Sequence, residues 1–168
     1  MFLLVFLLGV LIYILINGNN FSVGVNSVDD DSDCYSEITN IDDNLFRYYF
    51  KTCSLSDISN SLSKSDKNII GELQLDDCSL TTFPDLLTLA KLDTLRLFNM
   101  NLQSIEIQKL PSSLSILEIN NCSLTEIPDL SNLTQLDTLY LINNRLNNYN
   151  FNNLNVNASL LSLYLQKC

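Results

Sequence analysis

Histidine and tryptophan are absent from the 168 residues. Without histidine the chain lacks the usual general base for a serine or cysteine nucleophile and the commonest metal ligand. No glycine-rich phosphate loop occurs, and no C-x-x-C pair, so zinc and thioredoxin-like chemistry have no support. Positive charge is also short. Nine Lys and Arg stand against nineteen Asp and Glu, for a formal net charge of −10. A surface this acidic repels phosphate backbones, so no nucleic acid is expected as a partner. Asp76-Asp77 is the one candidate pair of catalytic carboxylates. It falls at a strand end, where acidic residues are commonplace, and the expectation is no enzyme, no cofactor and no metal.

Apolar residues, in contrast, make up 46% of the chain, enough for one domain with a real core and too many for a disordered chain. They begin at the N-terminus. Met1 to Ile16 carries no charged or strongly polar side chain, and Asn17-Gly18 breaks the run. As a helix, sixteen residues rise about 24 Å, short of the roughly 30 Å of a bilayer core. A cleaved signal peptide, residues 1–18 with cleavage as late as Gly24, is therefore favoured over a retained anchor. The n-region has no Lys or Arg, which weakens this assignment. Asp29, Asp30, Asp31 and Asp33 favour the non-cytoplasmic side on either reading.

Residues 25–69 read as an N-terminal cap. Tyr35, Ile38, Ile41, Leu45 and Tyr49 recur at three- and four-residue steps, which predicts a helix over 33–53. Ser54 to Asn68 is rich in Ser, Asp and Asn and reads as loop with room for a short second helix.

From Ile70 the chain becomes periodic. Ile70-x-x-Leu73-x-Leu75-x-x-Cys78 returns as Leu92-x-x-Leu95-x-Leu97-x-x-Met100, Leu114-x-x-Leu117-x-Ile119-x-x-Cys122, Leu136-x-x-Leu139-x-Leu141-x-x-Asn144 and Leu160-x-x-Leu163-x-Leu165-x-x-Cys168. The starts lie 22, 22, 22 and 24 residues apart. Two apolar residues at a spacing of two share one face of a strand, and one such strand cannot bury that face alone. Stacked in parallel at about 4.8 Å, five of them make a sheet about 20 Å wide over one continuous core. Leu80, Phe83, Leu86 and Leu89, like Leu124, Ile127, Leu130 and Leu133, step inward by threes and suit a 3₁₀-like return. Pro84 and Pro128 fit the turns into it.

This pattern resembles the leucine-rich repeat family, in its twenty-two-residue class. The resemblance covers 70–168, with four full copies and a fifth truncated one. It implies an α/β solenoid, a horseshoe with a short parallel β-sheet on the concave face and an N-terminal helical cap. It also implies that Cys78, Cys122 and Cys168 occupy the inward-turned position of the template, where they are structural thiols. The two cap cysteines, Cys34 and Cys53, are then the expected disulfide, worth about 3 kcal/mol on the chain-entropy model. Two free thiols in a reducing compartment is the alternative.

The residues between the inward leucines form three exposed columns: Gln74, Arg96, Glu118, Tyr140, Tyr164; Asp76, Phe98, Asn120, Ile142, Gln166; and Glu72, Thr94, Ile116, Thr138, Ser162. Arg96, Phe98, Ile116, Glu118, Tyr140, Ile142 and Tyr164 are the candidate ligand-binding residues, because aromatic and apolar side chains on one strip suit a protein-binding patch. Tyr140 and Tyr164 are expected to form one platform and Arg96 and Glu118 to pair, which at an exposed position contributes at most about 1 kcal/mol. Asn20, Asn121, Asn132 and Asn157 each open an N-x-Ser/Thr triplet, and Asn132 and Asn157 are the better glycosylation candidates. The resemblance implies a non-catalytic extracellular module, secreted or at the cell surface, that binds a protein or peptide. It is compatible with a fragment of a surface receptor. A membrane is involved only if the N-terminal segment is uncleaved or the chain continues. The alternative is a membrane-anchored or intracellular structural adaptor.

Overall fold

The computed structural model describes residues 2–7, 10–17, 20–27, 34–42, 45–80, 82–102, 105–146 and 159–167, with side chains from residue 34 onward except that of Asp42. The strands are β1 (Phe2–Leu7), β2 (Val10–Asn17), β3 (Asn20–Ser27), β4 (Tyr35–Asp42), β5 (Leu45–Lys51), β6 (Ile70–Asp76), β7 (Thr94–Phe98), β8 (Ile116–Asn120), β9 (Thr138–Ile142) and β10 (Ser162–Gln166). They form one open sheet in sequence order. The first five run as an antiparallel meander and β5 to β10 pair in parallel. With one α-helix among the described residues, α1 (Leu55–Lys64), this is an α/β-type fold with a mostly parallel sheet over β4–β10.

The parallel half follows directly from the leucine spacing. Leu73, Leu95, Leu117, Leu139 and Leu163 stand side by side across five strands, as do Leu75, Leu97, Ile119, Leu141 and Leu165. From Leu73 to Leu141 these side chains are at most 1% exposed. Burying each stabilises the fold by about 1.5–3 kcal/mol. The described return legs after β6 and β8 are chains of turns. Leu89 and Leu92 donate to the carbonyls three residues before them, and Leu133 and Leu136 do the same. That three-residue step keeps Leu86, Leu89, Leu130 and Leu133 inside. Each Pro-Asp entry ends the same way: Asp85 accepts from the Leu87 amide and Asp129 from the Ser131 amide. A true 3₁₀ turn occupies Ile107–Lys109.

The cap departs from expectation. Tyr35–Asp42 and Leu45–Lys51 pair as antiparallel strands, not a helix, with Asp42 opposite Leu45. The five-residue stripe is split between faces. Ile38 packs toward the core with its partner Tyr48, while Tyr35 and Tyr49 meet edge to face on the other side, ring centroids 5.9 Å apart. Phe46, Tyr48 and Phe50 alternate, and Tyr48 and Phe50 are buried; aromatic alternation suits a pleated strand better than a helix. Strand β5 is also a copy of the periodic pattern. Leu45-x-x-Tyr48-x-Phe50-x-x-Cys53 sets Tyr48 beside Leu73 and Phe50 beside Leu75. Gly71 is skipped in this pairing, and a Cβ there would stand 3.2 Å from Leu45 Cβ. The missing side chain lets the strands close over the bulge.

Helix α1 returns the chain from β5 to β6. The Ser54 Oγ accepts from the Asp57 amide while the Asp57 carboxylate accepts from the Ser54 amide, a reciprocal cap worth about 1 kcal/mol. Its apolar pair Ile58 and Leu62, four apart, is buried. Of the N-terminal apolar run, considered above as a helix, residues 2–7 and 10–16 lie in β1 and β2. No helix among the described residues is long and apolar enough to cross a membrane.

Candidate functional site

The open face of the sheet carries the seven candidate residues. Their side chains are held there by the leucines of the opposite face, since neighbours along a strand point to opposite sides. In register, the central column reads Tyr49, Gln74, Arg96, Glu118, Tyr140, Tyr164. It falls into two chemically different halves.

The half toward β5 is ionic. Glu72 lies between two guanidinium groups: Arg47 Nη2 is 2.8 Å from one carboxylate oxygen and Arg96 Nη1 contacts the other. Arg96 Nε also reaches Glu118 at 3.4 Å, so four alternating charges cross four adjacent strands. The expected Arg96–Glu118 pair is therefore one link of a longer chain. Glu72 is only 6% exposed, and two positive partners offset the cost of burying its charge. Nearby, the Tyr49 hydroxyl donates to Asp76 at 3.2 Å and the Tyr35 hydroxyl to Glu37 at 3.0 Å. Burial, reinforced by those carboxylates, pushes both phenols up to about 12.

The half toward β10 is uncharged. Tyr140 and Tyr164 stack with ring centroids 4.5 Å apart and planes within 10°. Tyr164 is 49% exposed. Ile116 and Ile142, on the columns either side, are half-buried, and Phe98 is half-buried two strands away. Ionic and aromatic halves meet where Glu118 stands opposite Tyr140. All seven candidates thus share one face, and the two tyrosines form the anticipated platform.

Beyond the strand ends runs a feature the sequence reading missed. Asp77, Asn99, Asn121, Asn143 and Lys167 each follow a parallel strand with φ between 51° and 54°, and Thr52 follows β5 at 56°. Asn and Asp tolerate this left-handed turn better than other non-glycine residues. The run of Asp, Asn, Asn, Asn at a fixed step was the available signal. The side chains also bond along the stack: Asn99 Nδ2 donates to Asp76 and Asn121 Nδ2 to Asn99, at 2.8 and 2.9 Å. The next template position turns inward. Asn144 Oδ1 accepts from the Cys122 and Leu124 amides, and its Nδ2 donates to the Ile119 and Ile142 carbonyls. Cys78 and Cys122 fill the equivalent place as buried free thiols. The Cys122 thiol donates to the Leu97 and Asn120 carbonyls, and burial raises it to about 11. Cys168 lies outside the described residues.

Cys34 and Cys53 form a disulfide. Asn132 is exposed on a return leg and lines an open cleft of about 440 Å³ with Leu87, Ile107 and Pro111. The Asn121 amide is engaged with Asn99, and Asn157 lies outside the described residues. Among the described residues no cluster of His, Cys, Asp or Glu is arranged to hold a metal ion. Comparison with family models, with curated proteins and with solved structures gives no match for the chain.

Proposed function

We propose that this chain is a leucine-rich repeat solenoid that binds a protein or peptide on the concave side of its sheet, on the extracellular side of the membrane. The Tyr140–Tyr164 stack carries this reading. It presents an aromatic surface, uncharged and flanked by Ile116 and Ile142, on the face opposite the core. Rigid tyrosines give large contact area at small entropic cost, which is why binding patches concentrate them. The ionic half alongside supplies fixed charges at Arg96 and Glu118 that orient a ligand more than they hold it. The cap disulfide supports an oxidising compartment, and glycans at Asn132 and Asn157 fit the same placement.

The test is a selection of peptides from a random library on the wild-type protein. The selected peptides are then measured against a Tyr140→Ser/Tyr164→Ser/Phe98→Ser variant and against Leu87→Ser, on the return-leg side. Loss of at least tenfold in affinity for the first and none for the second is expected. Peptides that bind the triple variant as well as wild type would end the assignment.

A further inference from the structure

We propose that Cys78 is the resolving thiol of a disulfide-exchange site, in which Cys53 bonds either to Cys34 on the hairpin or to Cys78 on the next strand of the stack.

Cys53 and Cys78 hold the same template position on adjacent strands. Their backbones run in register past the strand ends. The Thr52 amide bonds to the Asp76 carbonyl, the Ser79 amide to the Cys53 carbonyl, and Ser54 bridges Ser79 in parallel. Parallel neighbours lie about 4.8 Å apart. That falls within the roughly 4.4–6.8 Å span of Cα atoms that a disulfide joins. Both side chains are buried in the core. The Cys78 sulfur lies 3.6 Å from the Phe50 carbonyl oxygen on β5 as well as 3.4 Å from that of Asp76 on its own strand. Cys122 has no such access, because Met100 fills the position between it and Cys78.

The exchange is an isomerisation. The Cys78 thiolate attacks Cys53 Sγ, the Cys53–Cys78 bond forms, and the Cys34–Cys53 bond breaks. Cys34 leaves as a thiolate and takes up the proton that Cys78 gave to solvent, so no oxidant is consumed. Burial of the attacking group holds the starting bond in place. Cys78 is buried, and that burial raises its pKa, which keeps it a neutral thiol. The product differs mechanically from the starting state. The start of β4 is unclipped, β5 becomes stapled to β6, and the half-buried Cys34 is the thiol left free.

Two arms test the proposal. A Cys34→Ser variant is folded in a glutathione redox buffer and its disulfides are mapped by peptide mass spectrometry. Separately, the wild-type protein is held without denaturant at mildly alkaline pH, quenched in acid and labelled with N-ethylmaleimide. Expected are a Cys53–Cys78 linkage in most molecules of the variant, and Cys34 labelling in the wild type that a Cys78→Ser variant does not show. Recovery of Cys53 and Cys78 unlinked in a folded Cys34→Ser protein would overturn it. If that variant does not fold, the wild type decides. Its retaining Cys34–Cys53 as its sole linkage, with Cys34 unlabelled, is equally fatal to the idea.

Discussion

Replacing Asn144 with alanine should be among the costliest single changes in the molecule outside its leucines. The side chain is 6% exposed and makes four hydrogen bonds, all to backbone. Alanine leaves the amides of Cys122 and Leu124 facing a small apolar gap, and both of these residues are fully buried. Each unsatisfied amide costs about 1–3 kcal/mol. The pair therefore sets an expected loss of about 3 kcal/mol, before any cavity term. Cysteine offers a graded comparison, because Cys122 shows what a thiol does in this place. It donates to two carbonyls through a soft sulfur. Asn144→Cys is accordingly expected to lose about half as much, since sulfur is the weaker partner. Urea unfolding followed by circular dichroism measures both, and an unchanged slope shows that the lost stability belongs to the native state. A loss below about 1 kcal/mol for Asn144→Ala, or equal losses for the two variants, would refute the hydrogen-bond accounting.

Reduction with dithiothreitol should lower stability by about 3 kcal/mol, set by the 19-residue separation of Cys34 and Cys53; equal urea midpoints with and without reductant would contradict it. Leu117→Ala should cost about 2–5 kcal/mol, and Leu161→Ala, 84% exposed, under about 0.5 kcal/mol, both read from urea midpoints. The phenols of Tyr35 and Tyr49, raised from 10.0 to about 12, stabilise the fold fully below pH 10, and that contribution is lost as pH rises toward 12. Tyr49→Phe should therefore show a shallower alkaline loss of stability than wild type, and an equally steep one would count against the shift. N-terminal sequencing of protein secreted from a eukaryotic host should begin near Asn19 or Val25; a start at Met1 would reject cleavage.

How far the sequence could be read depended on how redundant its signals were. The leucine positions are stated five times over, so they fix the register of β6 to β10 and the face of the seven candidate ligand-binding residues. Residues 35–51 are stated once. There, a stripe at helical spacing competes with aromatic alternation, and periodicity alone does not choose between them. Strand pairing with β6 does, because Tyr48 and Phe50 continue the rows of Leu73 and Leu75. The stand-in of aromatics for leucine hid that extra copy. Glu72 was assigned to an exposed column, and its burial follows from Arg47, a residue on a strand not foreseen. Tyr140 and Tyr164 were legible as neighbours; their parallel stacking is a rotamer choice that spacing does not encode.

Because every strand in the sheet borders only its neighbours in sequence, among the described residues no distant segment ties the first strand to the last. Loss of order has an obvious direction under tension. A pull on the last strand shears β10 from β9 without disturbing β6, and the next strand becomes the new boundary with the same kind of contacts. The expected force–extension trace is a staircase of similar steps, one per strand with its return leg, arrested at the Cys34–Cys53 crosslink. The molecule would then behave less like a latch that opens once than like a ribbon that lengthens in increments.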